Sequence, residues 1–191
     1  MNTKLAIGLL LTGLLFTGVV AWGISLIGVH QGYSPVQPIA FSHKLHAGQN
    51  KIPCLYCHSA ARTSRHAGIP PASVCMNCHS LLENQTVQLE KLKESVQDRR
   101  PIRWVKVHNL PDFVYFNHSQ HVVSGVACQR CHGAVEDMER VKQAAPLTMG
   151  WCLECHRNQA HVPTGPVERL VKNASQPFKP VAALDCISCH Y

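Results

Sequence analysis

All ten cysteines of this 191-residue chain fall into one pattern, Cys-x-x-Cys-His, repeated five times. The copies are Cys54–His58 (CLYCH), Cys75–His79 (CMNCH), Cys128–His132 (CQRCH), Cys152–His156 (CLECH) and Cys186–His190 (CISCH). The spacing reads as c-type haem attachment. Two thiols three residues apart lie on one face of a helical turn and can add to the two vinyl groups of one porphyrin. The next histidine is then placed to bind the iron. Five motifs imply five covalently held haem c groups. The thiols Cys54, Cys57, Cys75, Cys78, Cys128, Cys131, Cys152, Cys155, Cys186 and Cys189 would form thioethers. His58, His79, His132, His156 and His190 would be the proximal ligands.

Paired cysteines also build zinc ribbons, and an even cysteine count in an exported chain can mean disulfides. Neither needs a histidine after every second cysteine. Histidine is 13 of 191 residues, so five such placements by chance are on the order of one in a million.

Residues 5–29 carry no charged side chain, and their polar residues other than glycine are Thr12, Thr17 and Ser25. A bilayer core needs about 20 apolar residues, whereas the apolar region of a cleaved signal peptide has about 7 to 15. The expectation is an uncleaved, single-pass anchor. Haem attachment of this type belongs to the outer face of bacterial and organellar energy-transducing membranes. Everything after Val29 is therefore expected on the periplasmic side of a bacterial inner membrane.

What remains gives each haem roughly 30 residues, too few for a conventional apolar core. The fold expected is a transmembrane α-helix followed by a multihaem cytochrome domain of short helices and irregular loops wrapped around haems, with little or no sheet. The net charge of +7 would ordinarily suggest nucleic acid. Ionised propionates remove that excess, since a ferric haem contributes about −1 and a ferrous one about −2. Arg62, Arg65, Arg99, Arg100 and Arg103 are propionate partners by residue type, and no nucleic-acid partner is expected.

The chain divides into residues 1–29 (cytoplasmic tip and anchor), 30–40 (a stiff, extended linker), 41–82 (a two-haem module), 83–103 (a helical connector), 104–160 (a second two-haem module) and 161–191 (a strap to the fifth haem). The modules form an internal repeat. Each opens with Phe-x-His-x-x-His, FSHKLH at Phe41 and FNHSQH at Phe116, and each box leads into two attachment motifs. In the connector, Leu82, Leu89, Leu92 and Val96 suggest an amphipathic helix, ended by Pro101.

Whether each iron has a second protein ligand separates conduction from catalysis. His43, His46, His118 and His121 occupy the two boxes. At i and i+3 on a helix they project from nearly one face and can reach two different haems. His43 and His118 are expected to serve the motif just downstream. For the fifth iron, Met149 stands three residues before Cys152, and a thioether would raise that haem's potential. His161 and His66 are the rivals. His108 suits a hydrogen-bonding or propionate role, and His30 an interfacial one.

The stretches QPIAFSHKLHAGQNKIPCLYCH, GIPPASVCMNCH, VHNLPDFVYFNHSQHVVSGVACQRCH and PLTMGWCLECHR resemble the class III multihaem cytochromes. More closely, they resemble the pentahaem subunit of bacterial alternative complex III, over roughly residues 33–191. The related subunit of menaquinone reductase complexes is similar but tends to have six haems. The resemblance implies partners: an iron–sulfur, molybdopterin-like subunit, polytopic quinone-binding membrane subunits and a monohaem cytochrome c. A soluble carrier or terminal oxidase would lie downstream. It also implies a methionine on one haem, in keeping with Met149.

Three functions compete. One is an electron wire with no catalytic site of its own. A second is a catalytic pentahaem reductase, which needs an open iron, often marked by Cys-x-x-Cys-Lys; every motif here ends in histidine. A third is a membrane-anchored quinol dehydrogenase, for which one apolar helix and a linker offer little pocket.

Overall fold

The computed structural model describes residues 2–82, 86–158 and 183–190. It is built from short helices and turns. Among the described residues there is no strand, and the single β-bridge joins Val114 to His190. His161 and most of the strap lie outside the described residues.

Helix α1 spans Thr3–Ser25. At 1.5 Å per residue it is about 34 Å long, and its length and composition suffice to cross a bilayer. None of its side chains packs inside the protein, and Leu15 and Phe16 are each 70% exposed. Its few hydroxyls are satisfied within the helix. Thr12 Oγ1 donates to Gly8 O (2.9 Å), Thr17 Oγ1 to Gly13 O (2.8 Å) and Ser25 Oγ to Trp22 O (2.7 Å). Asn2 caps the N-terminus by accepting from Lys4 N–H.

The linker that follows is laced to the rest of the chain rather than standing free. Gly32 N–H donates to Gln143 O (2.7 Å), and Gln143 N–H to Tyr33 O (3.0 Å). Gln31 Nε2 reaches Ala144 O, and Ser34 Oγ reaches Val141 O. Gln37 makes a two-way contact with Val105: Nε2 donates to its carbonyl and Oε1 accepts from its N–H. Gln143 thus satisfies two backbone groups of the linker, and the linker's own side chains bind the backbone of residues 105, 141 and 144.

Every attachment motif sits on a helical turn. The first four lie on α2 (Cys54–Cys57), α3 (Ala72–His79), α6 (Gln129–His132, with Cys128 its N-cap) and α7 (Met149–Arg157). The fifth lies on a 3₁₀ turn, Cys186–Ser188, whose N-cap Asp185 accepts from Ser188 N–H. Between the modules, α4 spans Val87–Gln97 and buries Leu92. It stops short of Pro101: Asp98 is the C-cap, and Arg99 turns into the left-handed region at φ 53°. A left-handed residue just past the last turn is a common helix stop.

The two histidine boxes wind differently. The second forms α5 (His118–Val123), capped by Asn117. The first is a π-turn, Lys44–Gln49, with His43 at its N-cap, so it departs from the α-helix expected there. A close approach marks the place. Gly48 lies so near the Glu136 carbonyl oxygen that a Cβ would collide with it. Insertions of this kind are typical of functional segments.

The modules interlock reciprocally. The first box packs on the turn after the third motif (Val135–Asp137), and Lys44 N–H donates to Met138 O. The second box packs on the turn after the first motif (Ser59–Arg62). There His118 N–H donates to Arg65 O and Ser119 N–H to Ser64 O, each at 3.2 Å. Each module thus seats its box against the other module's leading motif.

Among the described residues the only buried apolar side chains are Ala61, Leu92 and Ala145, and the only buried polar one is Gln143. Gln143 is fully hydrogen-bonded. Besides its two backbone bonds to the linker, its Oε1 accepts from Asn109 N–H (3.2 Å) and its Nε2 donates to Ala145 O (3.1 Å).

Candidate haem-binding site

Four pairs of imidazoles face one another at nearly the same distance. Ring centres are 6.5 Å apart for His43 and His58, and 6.0 Å for His46 and His79. They are 6.4 Å apart for His118 and His132, and 6.1 Å for His121 and His156. Each pair joins one box histidine to one motif histidine. A metal–imidazole bond is about 2 Å, and the ring centre lies roughly one ångström beyond the nitrogen. Two imidazoles bound to one iron would therefore stand about 6 Å apart, as these do.

The hydrogen bonds orient the rings for this. The Nδ1 atoms of His58, His46, His118, His121 and His156 lie 2.6–2.9 Å from the carbonyl oxygens of Gly68, Ser42, Arg65, Asn117 and Ala183. A carbonyl only accepts, so Nδ1 carries the proton and Nε2 keeps its lone pair for a metal. The Nδ1 of His132 faces a ring nitrogen instead, His108 Nε2 at 3.1 Å. The Nδ1 atoms of His43 and His79 are buried without a partner. In each box the phenylalanine braces both rings. Phe41 meets His43 edge-on at 4.8 Å and stacks on His46 at 4.2 Å. Phe116 repeats this with His118 (4.7 Å) and His121 (4.6 Å).

Burial favours the neutral form, the state a metal requires, at five of the imidazoles. It holds His43 down at about 4, helped by the neighbouring His58 and His46. It holds His132 at about 4, helped by His108 and His118. His79, His108 and His121 are shifted downward chiefly by burial as well. Among the described residues no group of three or more histidine, cysteine or acidic side chains converges as a metal cage. Each imidazole pair would supply two axial ligands, and a porphyrin the equatorial four.

The thiols show how the sites follow one another. Burial is the main cause that raises five of the thiols, and the further causes name their neighbours. Cys57 feels Cys78, and Cys75 feels Cys57. Cys128 feels Cys54. Cys131, pushed up to about 11, feels Cys155 and Cys152. Cys152 feels Cys189. The spatial order of the motifs is second, first, third, fourth, fifth.

Among the described residues His190 lies near Phe113 (5.8 Å) and faces no other imidazole. Tyr115 N–H donates to Cys189 O at 2.7 Å, which ties the fifth motif to the second module. Met149 is the first residue of α7, 64% exposed, one turn before the Cys152 that neighbours Cys189. His66 and His30 are exposed on the surface. Two of the propionate candidates have protein neighbours: Arg65 lies over the Tyr115 ring at 4.9 Å, and Arg100 approaches Asp98 at 3.7 Å. His108 takes the hydrogen-bonding role expected of it, with a partner, His132, that nothing in the spacing between them signals.

Residues 114–191 match the family model of cytochrome c7 and related cytochrome c. The chain is also similar to the multihaem cytochrome c subunit of menaquinone reductase from Nitratidesulfovibrio vulgaris. The two are 28% identical over 147 residues, which cover 66% of this chain and 70% of the relative.

Proposed function

We propose that this multihaem c-type cytochrome is a membrane-anchored pentahaem electron relay within a quinone-linked respiratory or photosynthetic complex. The observation that carries the reading is the set of four imidazole pairs at 6.0–6.5 Å. A haem supplies one-electron exchange at its iron. An iron held by two protein ligands has no position left for substrate, which favours relay over catalysis. The pairs are His43 with His58, His46 with His79, His118 with His132 and His121 with His156. For the fifth site we assign Met149 opposite His190. His190 has no imidazole facing it among the described residues, and Met149 stands one turn before Cys152, whose thiol neighbours Cys189.

The chain's own side chains orient and shield the rings: the carbonyl partners fix the tautomer, and Phe41 and Phe116 brace the faces. Because one box spans two motifs, each pair of sites is held at a fixed separation. Helix α1 holds the haem domain at the outer face of a bacterial inner membrane.

Five motifs, together with the box-bearing stretches, favour an alternative complex III over a six-haem menaquinone reductase. Its partners would be an iron–sulfur, molybdopterin-like subunit, polytopic quinone-binding subunits and a monohaem cytochrome c. The relative's name supports the alternative direction, electrons passing toward menaquinone. Purifying the intact complex and adding quinol tests both readings. Rapid reduction of the haems by quinol, with onward transfer to a soluble cytochrome or oxidase, supports the first. Haems that quinol leaves oxidised, with menaquinone reduced at the expense of reduced cytochrome, establish the second. A haem that binds cyanide in the native complex would overturn the relay reading itself.

A further inference from the structure

We infer that His108 is a positioning residue for the third attachment site, setting the tautomer and donor strength of His132 through a side-chain hydrogen bond. The inference rests on the reading of His132 as an iron ligand. His132 Nδ1 and His108 Nε2 are 3.1 Å apart, with the rings edge-on at 78° and their centres 4.4 Å apart. His132 bound to iron through Nε2 must carry its proton on Nδ1. It is then the donor and His108 Nε2 the acceptor, so a neutral His108 carries its own proton on Nδ1.

The other five hydrogen-bonded axial rings use backbone carbonyls. No substitution can remove those acceptors. At His132 the acceptor is a side chain, so the strength of this one bond is written in the sequence. An imidazole nitrogen that accepts from a ligating histidine makes that ligand a better donor and favours the oxidised metal.

The surroundings hold His108 in place. Asn109 N–H donates to the buried Gln143 Oε1, and Val105 is clamped by Gln37 on both its backbone groups. His118 faces the other side of the same site, 12° from parallel with His132. His108 therefore does not compete for the distal position and reaches the site only through His132.

The test is a potentiometric titration of the intact complex, followed by EPR, on variants of His108 and His132. His108→Phe keeps a ring and removes the acceptor. One of the five midpoint potentials should rise, one low-spin signal should shift, and the other four should be unchanged. His108→Gln returns an acceptor oxygen and should restore both. If the phenylalanine variant loses haem, His108→Asn replaces it, because its side chain is too short to reach Nδ1 and should shift the same midpoint. Five unchanged midpoints in the acceptor-free variant would overturn the inference. A new high-spin haem would also overturn it, since His108 would then be a ligand itself. His132→Ala separates this from failure of the parent reading. Loss of the same low-spin signal upholds His132 as ligand, and an unaltered set of signals removes the reading on which the inference stands.

Discussion

The rings of His43 and His58 lie within 5° of parallel, with centres 6.5 Å apart. Their counterparts in the second module, His118 and His132, are 12° from parallel. The other pairs are tilted, His46 and His79 by 53° and His121 and His156 by 44°. The first histidine of each box thus makes a parallel pair and the second a tilted one. Parallel imidazoles donate into the same iron d orbital and split it strongly from its partner. Tilted ones donate into both and narrow the splitting.

The ferric protein should therefore show two classes of low-spin EPR signal besides that of the fifth site. The parallel sites give the smaller maximum g value and the tilted sites the larger. His46→Ala or His121→Ala should remove one signal of the second class and create a high-spin haem. A single class from all four sites would contradict the assignment.

Met149→His should lower one midpoint potential by on the order of 0.1 V, within the roughly 0.8 V that axial ligands span. A thioether favours ferrous iron more than an imidazole does. Redox titration of the variant complex reads this directly, and five unaltered midpoints would exclude Met149 as a ligand.

Gln143→Leu should destabilise the fold by about 1–3 kcal/mol, because it removes the side-chain bonds to Asn109 N–H and Ala145 O. Gln143 itself is 1% exposed, and Ala145 beside it is buried, so the lost carbonyl partner is the costlier one. Chemical denaturation followed by circular dichroism checks this; a variant as stable as the parent would mean the node is slack.

Stability should fall with acid in a defined window. His43 and His132 are held at about 4, against 6.5 in an unfolded chain. Above 6.5 both states are neutral and the shift contributes nothing. Between 6.5 and about 4 the unfolded chain binds protons that the folded one refuses, so stability declines as pH drops. Iron bound at these rings would hold protons off further and sharpen the effect. Denaturation midpoints measured from pH 7 to 4 should fall most steeply inside that window.

Gly48→Ala should cost about 1–3 kcal/mol by overpacking. The new methyl would meet the Glu136 carbonyl, which belongs to the opposite module and does not yield as a side-chain tip would. Thermal unfolding of the holoprotein tests it, and an unchanged midpoint would mean that the modules separate easily.

The parts of this structure set by local spacing were legible in the sequence. Cys-x-x-Cys-His dictates a turn wherever it occurs, and Phe-x-His-x-x-His offers two rings to two sites by the same arithmetic. The lacing of residues 31–37 onto residues 105 and 141–144 was not legible. It joins common polar side chains of the linker to backbone carbonyls, which every sequence possesses, between segments more than 60 positions apart. The π-winding of the first box was hidden too, because it accompanies a close approach to the other module at Gly48. Gln143 sits in the unremarkable stretch KQAAP, and only the packed structure gives it four partners.

Ala61, Leu92 and Ala145 are the only fully buried apolar residues among the described ones. So small a core cannot offset the entropy of ordering a chain of this length. If the five haems proposed above supply the missing core, folding is tied to their attachment. A molecule short of one group would then be more open to proteases, and limited proteolysis would report how complete the cofactor set is.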